Sequence, residues 1–361
     1  MNDTAVNGTD ILRRAGQRLW LDTISRRLLD SGTLRHYIEA YGLTGVTSNP
    51  TILSREMAED AHELGPARHS EAADDDPEKA VVAEAVQDVQ RAADLLRRQW
   101  EATRGIDGWV SIEVPPTLAY LGAATVHEGR RLHAQVDRPN VFIKVPATWP
   151  GVAAIEALTV AGIPTNATLV FDTRQHHAVE NCYLRGLERR LRMGLALSVP
   201  SVASVFVSRW DAATNPVLPR EDRNLVGLRM AHAIDRQHRD SLATPRWSRL
   251  QAEGATPQRL VWASTAPKDP ELEPTHYAQR LPLPETINTM PESVLLALAQ
   301  APDLEIPGRG PSLGHPTRET MAEYGVDEAK VAQDLQHTGV QGFAADWDRL
   351  LAGTRSGVGS P

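Results

Sequence analysis

Val-Phe-Ile-Lys-Val-Pro-Ala-Thr (141–148) is an apolar, strand-like stretch that carries a single lysine, Lys144, in its middle. The chain has only four lysines among its 38 basic residues, so arginine is otherwise its preferred cation. An ammonium group is costly to remove from water, so a lysine in such a run is paired, reaches an edge, or serves partly neutral as an amine nucleophile. Only the nucleophile requires lysine rather than arginine. Lys144 is therefore a candidate nucleophile, and a strand-end lysine that reaches solvent is the alternative.

Runs of the same strand-like character recur along the chain and alternate with longer helical patterns. They cover residues 18–22, 45–48, 109–114, 141–145, 165–170, 201–207, 259–264 and 285–289. Alternation of strand and helix is typical of a parallel α/β sheet. Eight such strands predict a closed (β/α)8 TIM barrel, and an error in one weak run would leave an open doubly wound sheet instead.

Apolar residues at three- and four-residue steps predict helices between these runs. The clearest cover residues 78–103, 151–161 and 174–193. His176 and His177 lie in the last of them and face different directions because they are adjacent, so the pair is not expected to bind a metal.

Composition excludes several classes of function. With 361 residues the chain is long enough for a large core, and its net charge of −8 comes without a basic run, which argues against a nucleic-acid partner. No signal peptide and no stretch of about eighteen apolar residues is present, which predicts a cytoplasmic protein without a membrane partner. A single cysteine, Cys182, rules out an internal disulfide and a cysteine metal cluster.

Polar side chains lie in the predicted strands or directly after them. Because a barrel gathers the carboxyl ends of its strands at one mouth, residues scattered along the sequence converge there. Any one of them alone is explained as a strand-end hydrogen bonder, but the whole set, with an embedded lysine and two carboxylates, favours a catalytic site. The set comprises Asp22, Thr47, Ser48, Asn49, Glu113, Lys144, Asn166, Thr168, Ser204, Arg209, Ser264 and Asn288.

The chain resembles the transaldolase family in eight blocks that follow in the family's order. They are Trp-Leu-Asp-Thr-Ile-Ser-Arg (20–26), Gly-Val-Thr-Ser-Asn-Pro-Thr-Ile (45–52), Val-Ser-Ile-Glu-Val (110–114), Ile-Lys-Val-Pro-Ala-Thr (143–148), Asn-Ala-Thr-Leu-Val-Phe (166–171), Ser-Val-Ala-Ser-Val-Phe-Val-Ser-Arg (201–209), Trp-Ala-Ser-Thr (262–265) and Ile-Asn-Thr-Met-Pro-Glu (287–292). The resemblance covers residues 17–353, which we take as one domain between an extension at 1–16 and a disordered tail at 354–361.

The resemblance implies a class I aldolase-type barrel with extra helices. Such an enzyme moves a dihydroxyacetone unit from a ketose phosphate to an aldose phosphate in the pentose phosphate pathway. Its partners are small sugar phosphates, and no metal or organic cofactor is expected. The oligomeric state stays open between monomer and homodimer.

The resemblance also assigns catalytic roles. Lys144 forms the Schiff base with the ketose carbonyl, and Asp22 takes the proton of the C4 hydroxyl. Glu113 transfers protons through a water that it holds together with Thr168.

Substrate contacts follow from the same blocks. Asn49, Asn166 and Ser204 are expected to bind the three-carbon unit, and Phe206 is a further substrate-binding residue. Arg209, Ser264 and Lys268 are expected to bind the phosphate.

The Lys268 loop departs from the family pattern. Ser-Thr-Ala-Pro-Lys-Asp-Pro (264–270) stands where the family usually has Ser-Thr-Gly-Thr-Lys-Asn-Pro, so Pro267 lacks a backbone N–H and Ala266 lacks glycine's freedom. Two alternatives to a pentose phosphate transaldolase therefore stay open. One is a related enzyme with an unusual aldose acceptor in a specialised pathway, and the other is a non-catalytic sugar-phosphate binder.

Overall fold

A computed structural model of the chain describes residues 6–48, 76–306 and 318–356. Within these ranges eight parallel strands close into one barrel, in which spatial order follows sequence order. Strand β8 pairs with β1, where Ile287 lies opposite Arg18, so the sheet has no free edge. The predicted (β/α)8 TIM barrel is confirmed and the open doubly wound sheet is excluded. The strands are β1 (Arg18–Leu21), β2 (Leu43–Thr47), β3 (Trp109–Glu113), β4 (Val141–Pro146), β5 (Thr165–Val170), β6 (Ser201–Phe206), β7 (Arg259–Ala263) and β8 (Ile287–Met290).

Helices connect the strands, and the three predicted from periodicity are present with ends within two residues of the prediction. The described helices are α1 (Gly8–Arg14), α2 (Arg26–Asp30), α3 (Thr33–Tyr41), α4 (Pro77–Ala102), α5 (Gly122–Val136), α6 (Trp149–Val160), α7 (Thr173–Arg192), α8 (Ser208–Thr214), α9 (Val226–Leu242), α10 (Pro245–Ala252), α11 (His276–Arg280), α12 (Glu292–Ala299), α13 (Arg318–Glu323) and α14 (Glu328–Ser356). Short 3-10 turns lie at Pro116–Leu118 and Arg220–Asp222.

Side-chain caps fix where the helices after β4 and β5 begin. The Thr148 hydroxyl accepts a hydrogen bond from the N–H of Gly151, and the Asp172 carboxylate accepts one from the N–H of Gln175. Each cap satisfies an N–H that has no partner within its own helix. The polypeptide therefore turns away from the barrel directly after the strands that carry Lys144 and Thr168.

Large apolar side chains fill the barrel interior at the amino ends of the strands. The rings of Trp109 and Phe142 stack with centroids 4.2 Å apart, and Trp20 lies 6.2 Å from Phe142. Because β1 and β4 are not neighbours in the barrel, Trp20 and Phe142 contact each other across its interior. Gly45 leaves room for this packing, since an added Cβ would lie 2.6 Å from the Trp20 indole. The interior layer that contains Trp20, Trp109 and Phe142 is therefore apolar.

Both ends of the described structure contain helix beyond the predicted domain limits, but this does not test those limits. Helix α1 lies within the predicted extension at 1–16, and α14 extends to Ser356 within the predicted tail. The domain boundaries stay predictions. No helix in the described ranges is long and apolar enough to cross a membrane.

Candidate active site

Along β1 and β4, the side chains that face the barrel interior change from apolar to polar toward the carboxyl end of the strand. Successive side chains of a strand point to opposite faces, so residues two positions apart share a face. Lys144 follows Phe142 by two residues, and Asp22 follows Trp20 by two. Both polar side chains therefore face the interior, one layer closer to the carboxyl ends of the strands.

Lys144 is buried and paired with Glu113. Its Nζ lies 2.9 Å from Glu113 Oε2 and donates a hydrogen bond of 2.9 Å to the backbone carbonyl of Ser48. The two residues are opposite each other in the β3–β4 register, and their side chains are only 5% and 3% exposed. Burial raises the pKa of Glu113, although the nearby Lys144 charge opposes the shift. This burial excludes a strand-end lysine that reaches solvent.

Asp22 lies in a different environment on β1's carboxyl side. Its Oδ1 accepts a hydrogen bond of 2.7 Å from the Thr47 hydroxyl, which is also 2.9 Å from the hydroxyl of Thr289. Burial is the largest cause of the raised pKa of Glu113, and the negative charge of Asp22 raises it further. The two carboxylates therefore share one electrostatic site but have different hydrogen-bond partners.

A polar chain on β5 and β6 extends from Lys144. Asn166, which is opposite Lys144 in the strand register, donates from Nδ2 to the Ser111 hydroxyl at 3.1 Å. Its Oδ1 accepts a hydrogen bond of 2.8 Å from Ser204. Thr168 is fully buried, and its hydroxyl has no hydrogen-bond partner among the described residues. Buried hydroxyls are normally satisfied, so this one is available to a bound molecule.

Arg209 occupies the neighbouring sector of the mouth, at the beginning of α8. Its guanidinium carbon lies 5.3 Å from the centre of the Phe206 ring, and it makes no hydrogen bond or ion pair within the described ranges. Ser264, which has a left-handed φ of 53°, places its hydroxyl 3.0 Å from that of Ser208. Burial lowers the pKa of Arg209, while Asp346 and Asp22 act in the opposite direction.

Lys268 lies on the outer side of this sector. It is exposed as a residue, yet partial burial of its ammonium group and then the Arg209 charge lower its pKa. It lines a cavity of about 370 Å³ together with Ser208 and Tyr277. Arg209 and Lys268 therefore place two positive charges close together.

The long helix α14 lies over the mouth. Gln336 donates from Nε2 to the carbonyls of Ala147 and Leu169 at 2.9 and 3.0 Å, so it joins this helix to the ends of β4 and β5. The centre of the Phe343 ring lies 6.0 Å from Lys144 Nζ. This helix limits access to the buried lysine.

The structure brings together the predicted residues Lys144, Glu113, Asn166 and Ser204 through direct contacts, and it places Asp22 and Arg209 within electrostatic range. Thr168, Phe206, Ser264 and Lys268 lie at the same carboxyl ends. The predicted residue Asn49 lies outside the described residues.

Sequence reasoning missed Ser111, Thr289 and Phe343 as parts of this site. Ser111 could have been found, because it precedes Glu113 by two positions and shares its strand face. The buried residues Val340, Phe343, Trp347 and Leu350 have helical spacing, which predicts an apolar helix face but not where that face docks.

A closed (β/α)8 barrel with ionisable side chains at the carboxyl ends of its strands defines the class of TIM-barrel enzymes. Residues 19–354 match the family described as Transaldolase/Fructose-6-phosphate aldolase. The chain is 38% identical to "Transaldolase" of Parafrankia sp. (strain EAN1pec), with 97% of each chain covered. It is 40% identical to "Transaldolase" of Thiobacillus denitrificans, covering 96% of this chain and 99% of that one. It is 39% identical to "Transaldolase" of Thermobifida fusca, covering 94% and 95%.

The chain therefore belongs to the transaldolase/fructose-6-phosphate aldolase family, and it is a transferase of the transaldolase type. The resemblance found from the eight sequence blocks is confirmed. The non-catalytic alternative is set aside.

Proposed function

We propose that this enzyme transfers a dihydroxyacetone unit from sedoheptulose 7-phosphate or fructose 6-phosphate to an aldose phosphate through a Schiff base on Lys144. The observation that supports this most is the buried Lys144 amine, whose Nζ lies 2.9 Å from Glu113 Oε2 at the barrel mouth. We place the activity in the pentose phosphate pathway of the cytoplasm. The proposal includes a monomer or homodimer that acts on sugar phosphates, without a nucleic-acid or membrane partner.

Schiff-base formation requires a neutral amine and a route for protons. Glu113, whose pKa is raised by burial, is placed to take a proton from Lys144. The free amine attacks the C2 carbonyl of the ketose, and loss of water gives a protonated Schiff base. The unpartnered hydroxyl of buried Thr168 supports the proposal that Glu113 and Thr168 together hold the water of this step.

Cleavage of the C3–C4 bond requires a second base. The positive Schiff base withdraws the bonding electrons, while Asp22 takes the C4 hydroxyl proton and the aldose phosphate leaves. The three-carbon unit stays on Lys144 as an enamine, with its hydroxyls hydrogen-bonded by Asn166 and Ser204. An incoming aldose phosphate reverses these steps and forms the new C–C bond.

The phosphate is held in the neighbouring sector of the mouth, after β6 and β7. Arg209 and Lys268 lack an anionic partner within ion-pair distance in the described ranges, and the Arg209 charge lowers the pKa of Lys268. A phosphate dianion between them would relieve this repulsion and accept charge-assisted hydrogen bonds. Ser264 adds a hydroxyl donor, and Phe206 packs beneath the guanidinium.

Borohydride reduction in the presence of fructose 6-phosphate tests the proposal. We expect one three-carbon adduct on the peptide that contains Lys144, found by mass spectrometry. Lys330→Met, a change of an exposed lysine, serves as the matched control and keeps the adduct, whereas Lys144→Met loses it. An adduct on another lysine, or none with active enzyme, would show that Lys144 is not the nucleophile.

A second candidate is a transaldolase reaction with an unusual aldose acceptor. It is favoured by the exposed Lys268, which lines the cavity of about 370 Å³ beyond the lysine site in a loop that contains Ala266 and Pro267. Initial rates with fructose 6-phosphate as donor and a panel of aldose phosphates as acceptors separate the candidates. The pentose phosphate assignment requires glyceraldehyde 3-phosphate or erythrose 4-phosphate to give the highest kcat/KM.

A further inference from the structure

A cluster of metal-binding side chains lies in the outer helical layer. His176 and Glu180 are one turn apart on the same face of α7, and His238 faces them from α9. One potential ligand atom from each residue lies within 4.8 Å of the others. The three residues are 0%, 4% and 8% exposed, so this cluster is enclosed between the two helices.

The contacts around the cluster leave one nitrogen lone pair of His176 without a partner. His238 Nδ1 lies 2.6 Å from Glu180 Oε1, which accounts for one contact. Both ring nitrogens of His176 are buried, and the neighbouring Gln237 is placed to accept a hydrogen bond from the N–H of the ring. A neutral imidazole also carries a nitrogen lone pair, and no described side chain donates a hydrogen bond to the lone pair of His176.

The charge state of the cluster suits a cation. Burial lowers the pKa of His176 to about 4, which keeps its ring neutral and a nitrogen lone pair free. Although burial opposes the shift, the hydrogen bond with His238 lowers the pKa of Glu180, which keeps it a carboxylate. Two imidazoles and one carboxylate are ligands that Zn²⁺ prefers, whereas Mg²⁺ and Ca²⁺ prefer oxygen ligands alone.

We propose that His176, Glu180 and His238 bind one divalent transition-metal ion of the Zn²⁺ type, which joins α7 to α9. Bonds of about 2.0–2.2 Å place tetrahedral ligands about 3.4 Å apart, so binding draws His176 inward by about 1 Å and separates His238 from Glu180. The proton between His238 and Glu180 is released to solvent as the metal takes its place. Gln237 Oε1 or a water completes the coordination.

This site is separate from the lysine chemistry, because it lies between helices of the outer layer rather than at the barrel mouth. Its role is therefore to hold α9 against α7 and not to activate substrate, and the inference does not depend on the proposed function. It departs from the sequence expectation of no metal site because the partners of His176 are one turn and one helix away, not at His177.

Metal titration of the full-length, untagged protein tests the proposal. After treatment with a chelator, we expect Zn²⁺ to bind with one-to-one stoichiometry in calorimetry and Co²⁺ to give a four-coordinate visible spectrum. His176→Gln should weaken Zn²⁺ binding by more than about 100-fold, beyond the 10–100-fold typical of losing an outer-shell group. His177→Gln is the matched control, since His177 is exposed on the same helix, and it should bind as the unchanged protein does.

If His176→Gln fails to fold, a measurement on the wild-type protein alone still tests the proposal. X-ray absorption of the Co²⁺ complex should then show two imidazoles and one carboxylate in the first coordination sphere. The absence of saturable Zn²⁺ and Co²⁺ binding would overturn the proposal, as would binding that His176→Gln leaves unchanged. In either case His176 would be a buried packing residue, and in the second case the metal would be bound elsewhere on the protein.

Discussion

Asp22 and Glu113 are two carboxylates with different surroundings. Asp22 accepts a hydrogen bond from Thr47, whereas Glu113 is buried, and burial raises the pKa of Glu113. Groups that are held apart in this way can act as base and as proton carrier within one site. Because Glu113 forms the ion pair with Lys144, it controls the protonation of the amine. Asp22 acts in the later bond cleavage.

Substitution of each carboxylate separates these steps. Asp22→Asn should slow C3–C4 cleavage by about 100-fold or more, as expected for losing a general base, but should still allow borohydride trapping of the ketose. Glu113→Gln should slow the trapping itself. Stopped-flow and quench measurements with fructose 6-phosphate distinguish the two variants. Equal trapping rates in both, together with equal losses of turnover, would contradict this division of roles.

Asp211 on α8 is a carboxylate whose titration makes the stability of the fold depend on pH. Its oxygens accept hydrogen bonds from the N–H of Gly227 at 3.0 Å and the hydroxyl of Tyr277 at 2.7 Å. Burial outweighs these bonds and raises the Asp211 pKa from 3.8 to about 6. The folded state thus binds this proton more tightly than the unfolded state, and the stabilisation is complete below about pH 4 and lost as the pH rises through 6.

Asp211→Asn should remove this pH dependence because the amide does not titrate. The unfolding free energy of the unchanged protein minus that of Asp211→Asn should fall by about 2–3 kcal/mol between pH 4 and pH 7. Urea denaturation at several pH values measures this difference. Gln251→Ala, an exposed change on α10 that alters no titratable group, is the control and should give a flat difference. A difference that rises with pH would reverse the sign assigned to Asp211.

At the scale of elements, α14 determines how far the strand ends are covered. Gln336 donates one hydrogen bond to a carbonyl directly after β4 and another to a carbonyl within β5. Phe343 lies over Lys144. Gly339 permits close packing, because an added Cβ would lie 2.8 Å from the Leu169 side chain. The helix is therefore part of the wall of the site and transmits its position to the strands that carry Lys144 and Thr168.

Removing the Gln336 amide should loosen this connection. Gln336→Ala leaves two carbonyls without their donor, so we expect a loss of about 1–3 kcal/mol in unfolding free energy. We also expect lower kcat/KM for fructose 6-phosphate, since the helix no longer fixes the mouth. Gln333→Ala, one turn away and exposed, is the matched control. Activity equal to that of the control would show that α14 covers the site without positioning it.

Elements differed in how well their sequence revealed them. The strands and the helices α4, α6 and α7 were predictable because short apolar runs and periods of three to four residues are local properties of the chain. Contacts that join distant elements were not, as Thr289 beside Thr47 and Phe343 beside Lys144 show. These contacts depend on barrel closure and on the docking of α14, which no local pattern encodes.

At the scale of the whole molecule, the barrel mouth divides into two sectors. Strands β1 to β5 carry the lysine, the carboxylates and the amide that face the proposed carbonyl chemistry. Arg209 lies at the beginning of α8, which follows β6, and Ser264 and Lys268 lie in the loop after β7. Because the strands close into one barrel in sequence order, these neighbouring sectors border one opening. A ketose phosphate joined to Lys144 through C2 can therefore direct its phosphate toward the cationic sector.

The positive charges of the cationic sector predict how much the phosphate group contributes to substrate binding. If Arg209 and Lys268 bind phosphate, replacing either with alanine removes a charge-assisted contact worth roughly 1.5–3 kcal/mol, or about 10–150-fold in kcat/KM for fructose 6-phosphate. The loss should nearly vanish with unphosphorylated fructose, which never makes this contact. Arg209→Ala should have the larger effect, because Arg209 is more buried than the exposed Lys268 beside Pro267. Kinetics of both variants on both donors measure this, and equal losses on the two donors would show that the residues support the barrel mouth rather than recognise phosphate.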